Sequence, residues 1–114
     1  MRTETQLEQI KQEISREIQS AFGAKLHKII LYGSYARGDY NEDSDIDIMA
    51  LVDIEEVNMR VFRSLANKVA SRISLEYNAL ITISVRNSPL FYRRMEILPF
   101  YQNVINEGVT IYGS

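Results

Sequence analysis

The chain has no cysteine and a single histidine among its 114 residues. The first absence excludes a disulfide framework, thiolate zinc sites, iron–sulfur clusters and cysteine nucleophiles, and it fits a reducing compartment. The second leaves His27 alone, which removes histidine-rich metal sites and gives a Ser-His-Asp triad no support. No run approaches the ~20 consecutive apolar residues of a membrane span, and the charged opening Met1-Arg2-Thr3-Glu4 reads as the start of a helix rather than of a signal peptide. A soluble cytoplasmic protein without membrane contact is expected. Basic charge is also in short supply: Lys and Arg total 13 against 15 Asp and Glu, a net charge of -2. No global positive field therefore favours nucleic acid.

What is present is the balance of one ordinary globular domain, 46% hydrophobic and 25% charged. A chain of this length buries roughly two-thirds of its unfolded surface, enough for a core without staples. The acids are unevenly placed. Asp39, Glu42, Asp43, Asp45, Asp47, Asp53, Glu55 and Glu56 are over half of them, and no Lys or Arg falls between Arg37 and Arg60. Such a concentration needs free solvation or a cation.

Leu7, Ile10, Ile14, Ile18 and Phe22 recur at helical spacing, which predicts a helix from Thr3 to Phe22 that ends at Gly23. The continuous apolar run within Leu26 to Tyr32 predicts an interior strand, closed by Gly33. Asp45 to Val52 predicts a second strand, with Asp45 and Asp47 on one face and Ile46 and Ile48 on the other. A helix over Glu55 to Asn78, a strand over Ala79 to Arg86, a helix capped by Ser88 with Pro89 at its first position, a break at Pro99, a helix to Glu107 and a short extended Val109 to Tyr112 follow. The first two strands lie too close for a helical crossover, so they are expected antiparallel, within a small mixed sheet covered by helices: an α/β (α+β) fold.

The loop from Gly33 to Ser44 carries the chemistry. Gly33 admits close backbone approach, Ser34 brings a hydroxyl and an N–H at the start of a short helix, and together they suit a phosphate. Asp45 and Asp47, two apart on a strand, project from one face with Cα atoms about 6–7 Å apart. At that separation two carboxylates repel by roughly 2–3 kcal/mol in a medium of effective dielectric near 20. Oxygen-only ligands select Mg²⁺ or Mn²⁺, and Mg²⁺ takes substrate phosphates to complete its shell. These residues thus ask for a nucleoside triphosphate between Gly33-Ser34 and the two carboxylates, with Arg37 against the departing pyrophosphate.

The segment Gly33-Ser34-Tyr35-Ala36-Arg37-Gly38, followed by Ser44-Asp45-Ile46-Asp47 on the next strand, resembles the signature of the minimal nucleotidyltransferases, small relatives of the DNA polymerase β superfamily. The resemblance is sharp over Ile29 to Val52 and looser over the whole chain, implying a single nucleotidyltransferase domain spanning 1–114. It implies Asp45 and Asp47 as catalytic residues and metal ligands, and Gly33, Ser34, Arg37 and Ser44 at the nucleotide. ATP is the implied substrate, with one or two Mg²⁺ ions. The family is often paired with a small helical HEPN protein, and the pair resembles a toxin–antitoxin system in which AMP passes from ATP to a tyrosine of the HEPN toxin.

The chain departs from the superfamily pattern on its third strand, where a further carboxylate is expected and Ala79-Leu80-Ile81-Thr82-Ile83-Ser84-Val85 has none. Thr82 and Ser84 stand on the face where it belongs, and Glu76 is the nearest acid. That gap keeps a second reading open, a stoichiometric antitoxin that binds its partner without catalysis. A third, nucleotide transfer to a small molecule with an accessory subunit, is weakened by length. A nucleic-acid substrate is disfavoured by the charge, and a homo-oligomer stays open. Outside the loop, His27 reads as an exposed edge residue. Tyr32, Tyr77 and Tyr112 read as core positions, Tyr35 and Tyr40 as flanking the site. Tyr92, Arg93, Arg94, Phe100 and Tyr101 read as a helix surface with core aromatics.

Overall fold

Apolar residues on one stripe of helix α1 (Glu4–Phe22) bury Ile10, Ile14, Ile18 and Phe22, and Gly23, with φ +59°, turns the chain out of it. In the computed structural model, which describes residues 4–41 and 43–113, the expected helix start at Thr3 and the loop acid Glu42 lie outside the described residues. A 3-10 turn leads to β1 (Leu26–Tyr32), followed by the short α2 (Ser34–Arg37), β2 (Ile46–Val52), α3 (Met59–Tyr77), β3 (Ile81–Asn87), α4 (Ser88–Met95), α5 (Pro99–Glu107) and β4 (Val109–Tyr112). The sheet order is β3-β2-β1-β4. β1 runs antiparallel to β2 and β4, while β2 runs parallel to β3. This is the mixed, helix-covered sheet that the chain order predicts.

Both faces of the sheet are covered, which is why its central strands are apolar almost throughout. One face sends Ile29, Leu31, Ile48, Ile83 and Val85 into the core under α1 and α3. The two helices meet edge to face at Phe22 and Phe62, 5.0 Å between ring centroids. Each such aliphatic side chain removed from water contributes about 1.5–3 kcal/mol. The other face sends Ile30, Met49 and Leu51 against Phe91 of α4 and Val104 of α5. α4 and α5 shield the middle of this face; at its end lie Tyr32 and Asp47, half-buried, and Thr82, exposed.

Several boundaries differ from expectation, among them β3, expected over Ala79 to Arg86 and observed as Ile81–Asn87. β2 begins at Ile46, whose N–H donates to Leu80 O at 2.9 Å, so Asp45 lies just ahead of the strand. α3 begins at Met59 after a 3-10 turn over Glu56–Asn58, closed by Asn58 N–H donating to Glu55 O. The N-cap of α4 is Asn87 rather than Ser88. Asn87 Oδ1 accepts the Leu90 N–H at 2.9 Å and its Nδ2 donates to Ile54 O at 2.6 Å. The amide supplies the acceptor and the donor on two separate atoms, and this leaves Ser88 as the first helical residue, buried, with its hydroxyl 2.7 Å from Nδ1 of His27.

Candidate active site

The sheet register sets three side chains in one row: Tyr32 on β1 is the partner of Asp47 on β2, and Asp47 is the partner of Thr82 on β3. Directly opposed residues share a face of the sheet, so the row lies on the face that α4 and α5 leave open at its end. The Thr82 hydroxyl donates to Asp47 Oδ1 at 3.0 Å. Oδ2 of the same carboxylate rests against the backbone of Gly33, where a Cβ would approach it to 2.5 Å. Gly33 also holds φ +75°, a backbone region that side chains disfavour. Both reasons for glycine coincide at the point where β1 gives way to α2.

Ser34 opens α2 as the sequence predicts. Gly33 O accepts the N–H groups of Ala36 and Arg37, both at 3.1 Å, and Ser34 O accepts that of Gly38 at 2.9 Å. The loop then returns through a turn in which Asp43 N–H donates to Asn41 Oδ1 at 2.8 Å and Asn41 N–H donates to Ser44 Oγ at 3.0 Å. The Ser44 hydroxyl thus shapes the approach to Asp45. Tyr35 and Tyr40 stack on each other, centroids 4.1 Å apart and 10° between planes. Tyr35 is buried in the main core, so it anchors the loop from below instead of facing the site.

Arg37 is exposed and paired twice, with Asp39 at 3.2 Å and with Glu107 of α5 at 3.6 Å. Its hydrogen bond to Asp39, and the charges of both acids, hold the guanidinium in its charged form. Beside it a cavity of about 60 Å³ is lined by Tyr32, Gly33, Arg37, Asn103, Val104 and Glu107. Burial pushes the Tyr32 phenol above its ordinary value of 10; Ser84 opposes this through a hydrogen bond and the Asp47 charge adds to it. The phenol stays protonated at neutral pH.

The donor set suits a hard divalent cation. It consists of oxygens alone, with Asp47 half-buried and Asp45 exposed at the head of its strand. Among the described residues no group of three His, Cys, Asp or Glu side chains converges. Two carboxylates are what Mg²⁺ asks of a protein when phosphate and water supply the rest. Glu76 takes no part: it pairs with Arg72 at 3.5 Å on α3, in the layer on the opposite face of the sheet.

Residues 7–107 match the nucleotidyltransferase domain family. The chain belongs to that family. Among its relatives is a candidate protein adenylyltransferase of Methanocaldococcus jannaschii, MJ0141, 38% identical over 103 residues, 90% of this chain and 96% of that protein. The protein adenylyltransferase MntA of Thermococcus cleftensis is 32% identical over 88 residues, covering 76% of this chain and 85% of MntA. A solved complex of a tri-AMPylated Shewanella oneidensis HEPN toxin with its MNT antitoxin superposes with a TM-score of 0.53 at 17% identity, covering 94% of this chain and 72% of that one. That last likeness is one of fold. By family the chain is a nucleotidyltransferase, and no helix among its described residues is long and apolar enough to cross a membrane.

Within this nucleotidyltransferase, the structure brings Gly33, Ser34, Arg37, Asp45 and Asp47 to one end of the sheet. Tyr32 packs against the second core, as its expected core position requires, and also stands beside Asp47, while Glu107 was missed altogether. Its only signal is its contact with Arg37, across 70 residues of sequence, and no local pattern records such a pair. His27 is exposed as expected and joined to Ser88. Tyr92 and Tyr101 pack against the second core while Phe100 is half exposed, its ring edge-on to Tyr32 at 6.0 Å.

Proposed function

We propose that this nucleotidyltransferase is a protein adenylyltransferase that moves AMP from Mg²⁺-bound ATP to a tyrosine hydroxyl of a HEPN-type partner, and so acts as an antitoxin. The observation that carries the reading is the Asp47 carboxylate, held against Gly33 with Asp45 two residues before it. The naming of its relatives as protein adenylyltransferases supports the reaction, and the AMPylated HEPN toxin of the Shewanella complex supports the partner.

In this reading Asp45 and Asp47 would hold the metal. Bound Mg²⁺ supplies charge neutralisation on the triphosphate and at the α-phosphorus. Gly33 and Ser34 would receive the phosphates, Ser44 would keep the loop in place above them, and Arg37 would exchange an acidic partner for the leaving pyrophosphate. The acceptor oxygen bonds to the α-phosphorus as the bond to the β-phosphate oxygen breaks; pyrophosphate departs and the hydroxyl proton passes to solvent. A phenol ionises near pKa ~10, far more readily than an aliphatic alcohol. That suits a site where β3 presents Thr82 and Ser84 in place of a third carboxylate.

The same substitution favours a second reading, a nucleotidyltransferase fold that restrains its partner by binding alone. One experiment separates them: incubation of the chain and a HEPN protein of the same genome with Mg²⁺ and ATP labelled at the α-phosphate, with Asp45→Ala/Asp47→Ala as control. Label on the partner with the wild type only is the expected result. Co-elution without label, unchanged in the double variant, would make it a binding antitoxin.

A further inference from the structure

Thr82 is the register partner of Asp47 on the parallel strand β3. Its side chain is exposed on the site face, and its hydroxyl donates to Asp47 Oδ1 at 3.0 Å. Gly33 meets the other oxygen of that carboxylate, with no room there for a Cβ. The Asp47 carboxylate therefore has one oxygen hydrogen-bonded from β3 and the other seated in the space that Gly33 leaves open, whereas Asp45 sits exposed ahead of β2. We propose that Thr82 is a positioning residue: its hydroxyl fixes the rotamer of Asp47, so that the carboxylate is already oriented when a divalent cation and a nucleoside triphosphate arrive. The proposal rests on the nucleotidyl-transfer reading above.

The chemistry follows from the donor geometry. An aspartate free to rotate about its side chain must be immobilised when it ligates, and that ordering weakens binding. A hydrogen bond from a neighbouring strand imposes the order beforehand, the part played by outer partners of metal ligands in general. A threonine hydroxyl can donate this bond and adds no negative charge, so β3 orients Asp47 without supplying a ligand that competes for the cation. A valine keeps the shape and strand preference of threonine and loses only the donor. A serine keeps the donor and loses only the methyl group.

The test is a Mn²⁺ titration of the full chain with AMP-PNP, free Mn²⁺ being read by electron paramagnetic resonance, for the wild type, Thr82→Val and Thr82→Ser. Melting curves confirm that each is folded, and Thr82→Ala replaces Thr82→Val should the valine disturb the strand. The expected result is a roughly tenfold weaker Mn²⁺ affinity for Thr82→Val, with Thr82→Ser within about twofold of wild type. Wild-type affinity in Thr82→Val, or an equal loss in Thr82→Ser, overturns the proposal and leaves the nucleotidyl-transfer reading standing. Failure of the wild type itself to bind Mn²⁺ with AMP-PNP overturns both.

Discussion

Asp47 fills the space that a side chain at Gly33 would need, its Oδ2 lying 2.5 Å from where a Cβ would stand. The glycine at the end of β1 and the carboxylate on β2 are thus one feature, and a change at either reaches the other. Gly33→Ala forces a methyl against a charged oxygen at a residue with φ +75°, and strain of that kind costs about 1–3 kcal/mol. The carboxylate must turn away to relieve it. Expected outcomes are a lower urea midpoint and a loss of nucleotidyl transfer of about a hundredfold or more. An alanine variant with wild-type transfer would separate Gly33 from the site.

The Arg37–Glu107 pair offers a different kind of test, because both groups are exposed and such pairs add little to stability. Glu107→Gln should leave the melting temperature unchanged within error. It releases Arg37 from one of two acids, so under the proposed role of Arg37 an anionic nucleotide meets less competition and its KM should fall two- to fivefold, more at low salt than at high. Steady-state transfer at two ionic strengths checks both parts. A rise in KM would mean that Glu107 orients Arg37 and does not compete for it.

Asn87 secures the passage from β3 into α4 by capping the helix and bonding Ile54 O. Loss of an asparagine cap costs about 1 kcal/mol, and leaving a shielded carbonyl without its donor adds to that. Asn87→Ala should therefore destabilise the fold by about 2 kcal/mol in chemical denaturation. Ser88→Ala, which removes the contact with His27 and no cap, should cost less. The reverse order would make the serine the cap after all.

How far these features were legible beforehand follows from the range of each interaction. β1 and β4 were bounded correctly, since Gly33 closes the apolar run of β1 and Gly108 stops the helix before β4. The antiparallel pairing of β1 with β2 followed from the brevity of the loop. The site residues Gly33, Ser34 and Asp47 stood out because their spacing is local. Tyr32 did not, because alternation along one strand cannot say which strand lies opposite; its place beside Asp47 is a fact of register. Glu107 reaches Arg37 only after α5 folds back over the sheet. At the β3–α4 junction two capping residues stood side by side, and the choice fell on Asn87 because Ile54 O needed a donor that lies more than 30 residues away in sequence.

Between α1 and α3, Glu13 carries a pH dependence with a definite sign. Its Oε2 is shielded from solvent and lacks a hydrogen-bond partner among the described residues. Burial raises its pKa above the ordinary 4.5, the hydrogen bond and charge of Glu76 raise it further, and Arg72 and Arg16 act in the opposite direction. A raised carboxyl pKa in the folded state means that the folded chain binds the extra proton. The stability this supplies is complete below the unfolded value of about 4.5 and is lost as pH rises through the folded value. At neutral pH the wild type has given it up, whereas glutamine remains uncharged and can still donate to Glu76. Glu13→Gln should then melt higher than the wild type at pH 7, with the gap closing as pH falls toward 4. The ion pair it surrenders, to Arg16 at 3.9 Å, is long and its arginine is exposed, so it offsets little. Paired melting curves from pH 4 to pH 8 cancel every other titration common to the two chains, and a gap that stays constant or widens on acidification would show that Glu13 is charged without penalty in the fold.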